Sequence, residues 1–220
     1  MKKFIIIFGI ILTFLLFTAG CFTMDINTKV NSDTSVSDYK VSMTMTNMVY
    51  NLLTKSAKES GYKSLREQFT ARQMGNANFN YNEKWDKDKV TITMEANGPI
   101  QSTNQSEWKI QEINGFMVYE DSRLLRDITP TDTEENELSS AMLSSISINY
   151  YLEMPGKIVV SNANTVTENK AEWHLSGIDG FNTRFYAKSE LPLLPSLPGF
   201  EAILAVFGVL GALCLIKYRR

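Results

Sequence analysis

Two long apolar runs bracket a chain whose middle alternates. Phe4 to Phe17 is an almost unbroken apolar run, and Phe200 to Ile216 carries a single charge, Glu201. Between them the hydrophobic positions recur with two different periods, and each period predicts an element. Tyr39, Val41, Met43 and Met45 alternate with Lys40, Ser42 and Thr44, which predicts a strand with one buried face. Phe22, Met24 and Ile26 predict its hairpin partner across the turn Asn31-Ser32-Asp33. From Asn47 to Ser60 the spacing becomes helical, with Met48 and Leu52 and, one step on, Val49 and Leu53; Gly61 is the stop. Ser64-Leu65-Arg66-Glu67 is a capping box that opens a second helix carrying Leu65 and Phe69 and ended by Gly75.

Strands return at Asn78. Phe79 and Tyr81 before Asp86-Lys87-Asp88, and Val90, Ile92 and Met94 after it, predict a second hairpin, broken by Asn97-Gly98-Pro99. Trp108 to Ile113 and Phe116 to Tyr119 flank Asn114-Gly115, the strongest short hairpin turn signal in the chain. Thr131-Asp132-Thr133-Glu134 caps a third, short helix over Glu134 to Ser144. The last third is β: Ile146, Ile148, Tyr150, Leu152 and Met154 alternate with polar partners, Pro155-Gly156 turns, and Ile158 with Val160, Trp173 with Leu175, and Phe185 with Ala187 follow. The expected fold is α+β over residues 22–190, an antiparallel β-sheet with two or three segregated helices.

The two ends carry targeting chemistry. Met1-Lys2-Lys3, the apolar run and Thr18-Ala19-Gly20-Cys21 have the order and size of a secretory signal segment over residues 1–21. Ala19-Gly20-Cys21 resembles the lipobox of prokaryotic lipoproteins, with Thr18 where an aliphatic residue is usual, and the resemblance implies Cys21 as the lipid attachment site. Ordinary cleavage after Ala19 or Gly20 is the alternative, though the exported domain offers Cys21 no disulfide partner. Residues 191–199 form a proline-rich linker, holding three of the six prolines. Residues 200–220 read as a transmembrane helix, 17 residues from Phe200 to Ile216 reaching about 25 Å at about 1.5 Å per residue. Lys217, Arg219 and Arg220 then form a cytoplasmic stop, which leaves the domain on the extracytoplasmic face. Pro198-Gly199-Phe200 ahead of that helix and basic tail resembles the PGF-CTERM sorting signal of the archaeal envelope, which implies a sorting enzyme as a partner; a plain single-pass anchor is the alternative.

Charge and chemistry narrow the function. Without its ends the chain holds 17 basic against 23 acidic residues, a net charge of −6 that argues against nucleic acid or an anionic lipid surface as the main partner. The single histidine, His174, alternates with Trp173 and Leu175 and is expected to face solvent, and the two cysteines, Cys21 and Cys214, belong to the ends. No Cys/His nucleophilic pair or zinc cluster can be assembled in the middle, so no enzyme, no cofactor and no metal are expected. Glu83, Asp86 and Asp88 lack the glycine and distal glutamate of an EF-hand and read as a charged hairpin tip. Asn104-Gln105-Ser106 is a glycosylation sequon, with Asn104 the acceptor.

Five methionines, Met24, Met43, Met45, Met94 and Met154, fall on inner strand faces. Flexible thioethers suit an adaptable apolar cavity and also fill ordinary cores. Trp85, Trp108, Trp173 and Tyr150-Tyr151 could line such a cavity, sit at a membrane surface or pack in the core with the indole N–H satisfied. The candidate ligand groove is Met43, Met45, Met94, Trp108, Tyr150, Met154 and Trp173. Met154-Pro155-Gly156-Lys157-Ile158-Val159-Val160-Ser161-Asn162, followed by Asn169 and Trp173-His174-Leu175-Ser176-Gly177, resembles the LppM-type lipoprotein domain. That resemblance implies an α+β extracytoplasmic domain of a membrane-tethered lipoprotein, without catalytic residues, for which a lipid or envelope-binding role is suspected. The expectation is therefore a membrane-anchored cell-surface domain that binds a lipid, glycolipid or other amphipathic component. The alternative is a structural module that docks an envelope protein through a sheet edge or the tyrosine-rich strand.

Overall fold

The computed structural model describes residues 22–71, 77–101, 107–125, 145–177 and 179–191. The signal segment with Cys21, the Gly75 stop, Asn104, the third predicted helix, the linker from 192 and the C-terminal span with Pro198, Gly199 and Phe200 lie outside these residues. The described elements are β1 (Phe22–Val30), β2 (Ser35–Thr46), α1 (Asn47–Glu59), α2 (Leu65–Ala71), β3 (Phe79–Asp86), β4 (Lys89–Ala96), β5 (Ile100–Gln101), β6 (Trp108–Ile113), β7 (Phe116–Asp121), β8 (Ile146–Glu153), β9 (Ile158–Ser161), β10 (Thr165–Thr167), β11 (Lys170–Ser176), α3 (Asp179–Asn182) and β12 (Phe185–Glu190). The fold is α+β and mostly antiparallel, with few helices.

Two sheets form where one was expected. The large sheet runs β10-β11-β8-β1-β2-β4-β3, with β5 also paired to β2, and the small sheet runs β6-β7-β12-β9. Among the described residues all pairings are antiparallel but one: β1 lies parallel to β8, from Phe22 opposite Ile146 to Lys29 opposite Glu153. A parallel partner cannot be joined by a hairpin, and β1 and β8 are correspondingly far apart in the chain. Alternation could not reveal it, since period two assigns a side chain to a face and says nothing about the direction of the neighbouring strand.

The predicted hairpins form where turn chemistry marked them. Asn114 and Gly115 take φ of 52° and 79°, the left-handed pair that a two-residue turn matching strand twist requires. Thr46 caps α1 by accepting from the Val49 N–H at 3.4 Å, and Gly61 ends it at φ 87°. The four helically spaced residues divide: Val49 is buried and Leu53 half-buried against the sheet, whereas Met48 and Leu52 face outward at 72% and 45% exposure. Ser64 caps α2 through the Glu67 N–H at 3.2 Å, and Glu67 returns to the Lys63 N–H at 2.6 Å, one residue beyond the usual capping-box partner. Val160, expected on an inner face, is exposed; β9 is an edge strand whose pairing with β12 shifts register at Lys188/Ser189, which ends the alternation.

One face of the large sheet is apolar and covered, the other polar and open. The inner face presents Ile26, Val41, Met43, Met45, Val90, Ile92, Ile148, Tyr150, Leu152 and Trp173. Its β1/β8/β11 half is roofed by the small sheet: Phe185 stacks on Tyr150 at 4.1 Å and meets Trp173 edge-on at 5.4 Å. Its β2/β4/β3 half is roofed by α1 and α2, which bury Val49, Ala57 and Leu65.

Candidate functional site

The chemistry concentrates where the two roofs meet. Tyr119 and Asp121, two apart on β7, project to the same side between the sheets, and Arg123 follows just past the strand end. The Asp121 carboxylate accepts from the Arg123 Nε at 2.8 Å, the Arg123 backbone N–H at 3.0 Å, the Tyr150 hydroxyl at 2.8 Å and the Tyr119 hydroxyl at 3.4 Å. Tyr119 also bonds Tyr150 and accepts from the Trp108 indole N–H at 3.1 Å. The Arg123 guanidinium lies 4.5 Å from the Trp108 ring centre and 5.1 Å from that of Tyr39. Burial alone would push the Asp121 carboxyl up, but the Arg123 charge and hydrogen bonds outweigh it and hold the group below its ordinary range. Burial, then the Asp121 charge, pushes the Tyr119 and Tyr150 hydroxyls up. Both phenols therefore stay protonated, and their two protons serve three contacts: Tyr150 donates to Asp121, and Tyr119 shares its single proton between Asp121 and the Tyr150 oxygen.

A cleft of about 190 Å³ opens beside this network, between the inner face and α2. Ile26, Tyr39, Val41 and Met94 form its floor, Phe69, Thr70 and Phe79 its wall, and Asp121, Arg123 and Leu124 its polar end. The volume exceeds that of a 150 Å³ apolar cavity able to take up benzene. A second, larger depression of about 340 Å³ lies on the open polar face around Asn27, Lys29, Asp38, Tyr151, Glu153 and Lys170. There Lys29 and Glu153 pair at 2.9 Å.

Of the seven residues expected to line a groove, Met94 alone lines the cleft. Trp108 stands behind it, 6.3 Å from Tyr39. Met43, Met45, Tyr150, Met154 and Trp173 are packed into the core, each at 2% exposure or less. Tyr39, Phe69, Phe79 and Arg123 were not among the expected groove residues. Tyr39 and Phe69 carried a sequence signal, one within the strand alternation and the other on the second helix. Asp121-x-Arg123 at the close of an apolar strand is a spacing that permits a bidentate pair. His174 is exposed on the polar face, its Nδ1 2.9 Å from the Asn149 Oδ1.

The segment that carried the family resemblance is a structural clip. A side chain at Gly156 would meet the Glu190 carbonyl oxygen at 2.1 Å, so only glycine lets β12 close on the turn after β8. Asn162 accepts from the Trp173 indole N–H at 3.1 Å and the Tyr186 N–H at 3.0 Å, and donates to the Arg184 carbonyl at 2.7 Å. Asn169 donates to the Met154 carbonyl at 2.9 Å. These residues join the two sheets.

Comparison with known proteins bears on both the ends and the domain. The PGF-CTERM motif matches residues 197–217, which include the expected Pro198-Gly199-Phe200, and marks a membrane-anchored cell-surface protein of archaea. An uncharacterized protein of Archaeoglobus fulgidus is 47% identical over 196 residues, covering 88% of this chain and 87% of that protein. Among solved structures, the NMR structure of the folded domain of Mycobacterium tuberculosis LppM aligns with a TM-score of 0.44 at 8% identity, over 78% of this chain and 91% of that one.

Proposed function

The chain belongs to the same family as the Archaeoglobus fulgidus protein, and on that premise we propose that it is a non-enzymatic cell-surface domain that takes the apolar part of a lipid or other amphipathic envelope molecule into the cleft under α2. The observation that supports this reading is the cleft itself: aromatic and thioether walls from Tyr39, Phe69, Phe79 and Met94, closed at one end by the buried Asp121 carboxylate and its ion pair with the partly exposed Arg123. Trp108 makes the test direct, because it packs on Tyr39 and Arg123. In a Trp85→Phe background, a brominated fatty acid added to the full chain in detergent should quench Trp108. Met94→Asp should abolish that quenching. Undiminished emission at saturating fatty acid would sink the reading.

A second reading has its own observation. Val159 and Val160 on β9 and Val166 on β10 are exposed at 45%, 51% and 44%, and these two strands end the two sheets. Apolar edge strands are a template for an added strand from a protein partner. Loss of partner capture from envelope extracts on Val160→Lys, with Met94→Asp unaffected, would favour this reading over the cleft.

A further inference from the structure

We infer that the end of the large sheet carrying Met48 and Trp85 is the surface that rests on the lipid bilayer. The pairing registers place three features at one pole. Phe22, the first residue of β1, lies opposite Met45 and Ile146, and Met45 lies opposite Val90, which in turn pairs with Trp85. The β3–β4 tip therefore stands at the pole where β1 begins, and α1 starts there too, with the Asn47 N–H donating to the Asp88 carbonyl at 2.9 Å.

This pole leaves large apolar side chains uncovered. Trp85 is 53% exposed and Met48 72%. Trp85 is held edge-on to Tyr50 with ring centres 4.8 Å apart, so its indole is a fixed projection. Lys84 and Lys89 lie on the opposite face of the same hairpin and Lys87 in its turn, where Asp86 and Asp88 balance part of their charge. An aromatic ring on a hairpin tip that also carries lysines, whose stems can lie along apolar surface while the ammonium reaches water, matches the headgroup level of a bilayer. The domain's net charge of −6 means that contact depends on apolar insertion and proximity, not on charge attraction.

The N-terminal end supplies the proximity. Phe22 follows Cys21 directly and stands five residues after the apolar run that closes at Phe17, so membrane attachment there leaves almost no slack and holds the pole where β1 begins, with Trp85 and Met48, against the bilayer.

Tryptophan emission tests this, because Trp108 and Trp173 are buried at 4% and 1% exposure. The full chain, with both ends, would be reconstituted into phosphatidylcholine bilayers brominated near the headgroup end of the acyl chains. Trp85 is one of three tryptophans, so contact should remove on the order of a third of the emission relative to unbrominated bilayers. The loss should persist in high salt, shrink in Trp85→Phe by the share that Trp85 carries and weaken in Met48→Asp; any part that remains in Trp85→Phe and disappears in Met94→Asp belongs to Trp108 beside the cleft. Equal emission in the two bilayers overturns the inference. Quenching left undiminished by Trp85→Phe overturns it as well, because Trp85 would then not meet the bilayer.

Discussion

The two halves of the inner face carry the same alternation and end up packed differently. Under the small sheet, Tyr150, Trp173 and Phe185 are each at 1% exposure or less, and their polar atoms are tied to Asp121 and Asn162. Under the helices, Phe69, Phe79, Tyr81 and Met94 are only partly buried, and the cleft remains. A sheet roofs another sheet with a continuous row of strands about 10 Å away. Helices of 13 and 7 residues cannot cover strands of 8 to 12 residues as completely. Open space is thus placed by the quality of the roof, not by the composition of the floor.

The sharpest test of this contrast is a pair of truncations. Trp173→Ala should cost about 3–5 kcal/mol and Phe69→Ala only about 1 kcal/mol in urea unfolding, since the second side chain is already partly hydrated. Comparable losses at the two sites would mean that the halves are equally packed.

Asp121→Ala comes next, at about 3 kcal/mol, because it strands Arg123, whose side chain is 19% exposed, beside two buried phenols. The Asp121 carboxyl sits below its ordinary range when folded. The stability it contributes is therefore complete above its unfolded value of about 4 and is lost as pH falls through the lower folded value. Asp121→Asn should flatten the acid limb of a stability-versus-pH curve and leave the region above pH 5 parallel to the parent.

Gly156→Ala should cost about 1–3 kcal/mol, because the Glu190 carbonyl that blocks the new methyl belongs to the backbone and must move. Thermal unfolding reads this directly. The smallest effect is expected at Thr70→Leu, which fills the cleft from α2: stability should change by no more than about 0.5 kcal/mol, while fatty-acid quenching of Trp108 weakens. A large destabilisation there would mean that no space exists to fill.

Much of this architecture could be read from local signals. Alternation identified the inner residues of β1, β2, β4, β8, β11 and β12. Asn114-Gly115 and Asp86-Lys87-Asp88 marked turns, Gly61 marked the end of α1 and the Ser64 capping box marked the start of α2, whereas the Thr46 cap of α1 appeared only in the structure. These signals act over two to four residues, a range at which side-chain periodicity and turn conformation are settled by sterics. The two-residue β5 and the three-residue β10 are too short to show a period, and Val160 departs from its pattern because of a register shift that only its partner strand reveals.

The candidate site was less accessible for the same reason. Arg123 and Asp121 could be noticed as a pair, but the burial of Asp121 depends on Tyr150, almost thirty residues further along, which meets it only once the small sheet is laid over β8. Met43 and Met94 look alike on their strands, yet one is sealed and the other borders a cleft. The sequence by itself determined the strand faces, the hairpins, the helix caps and the sorting motif at the C-terminal end. The tertiary structure decided which inner residues are covered by a sheet and which by two short helices, because a period of two assigns a side chain to a face and leaves open what will lie across from it.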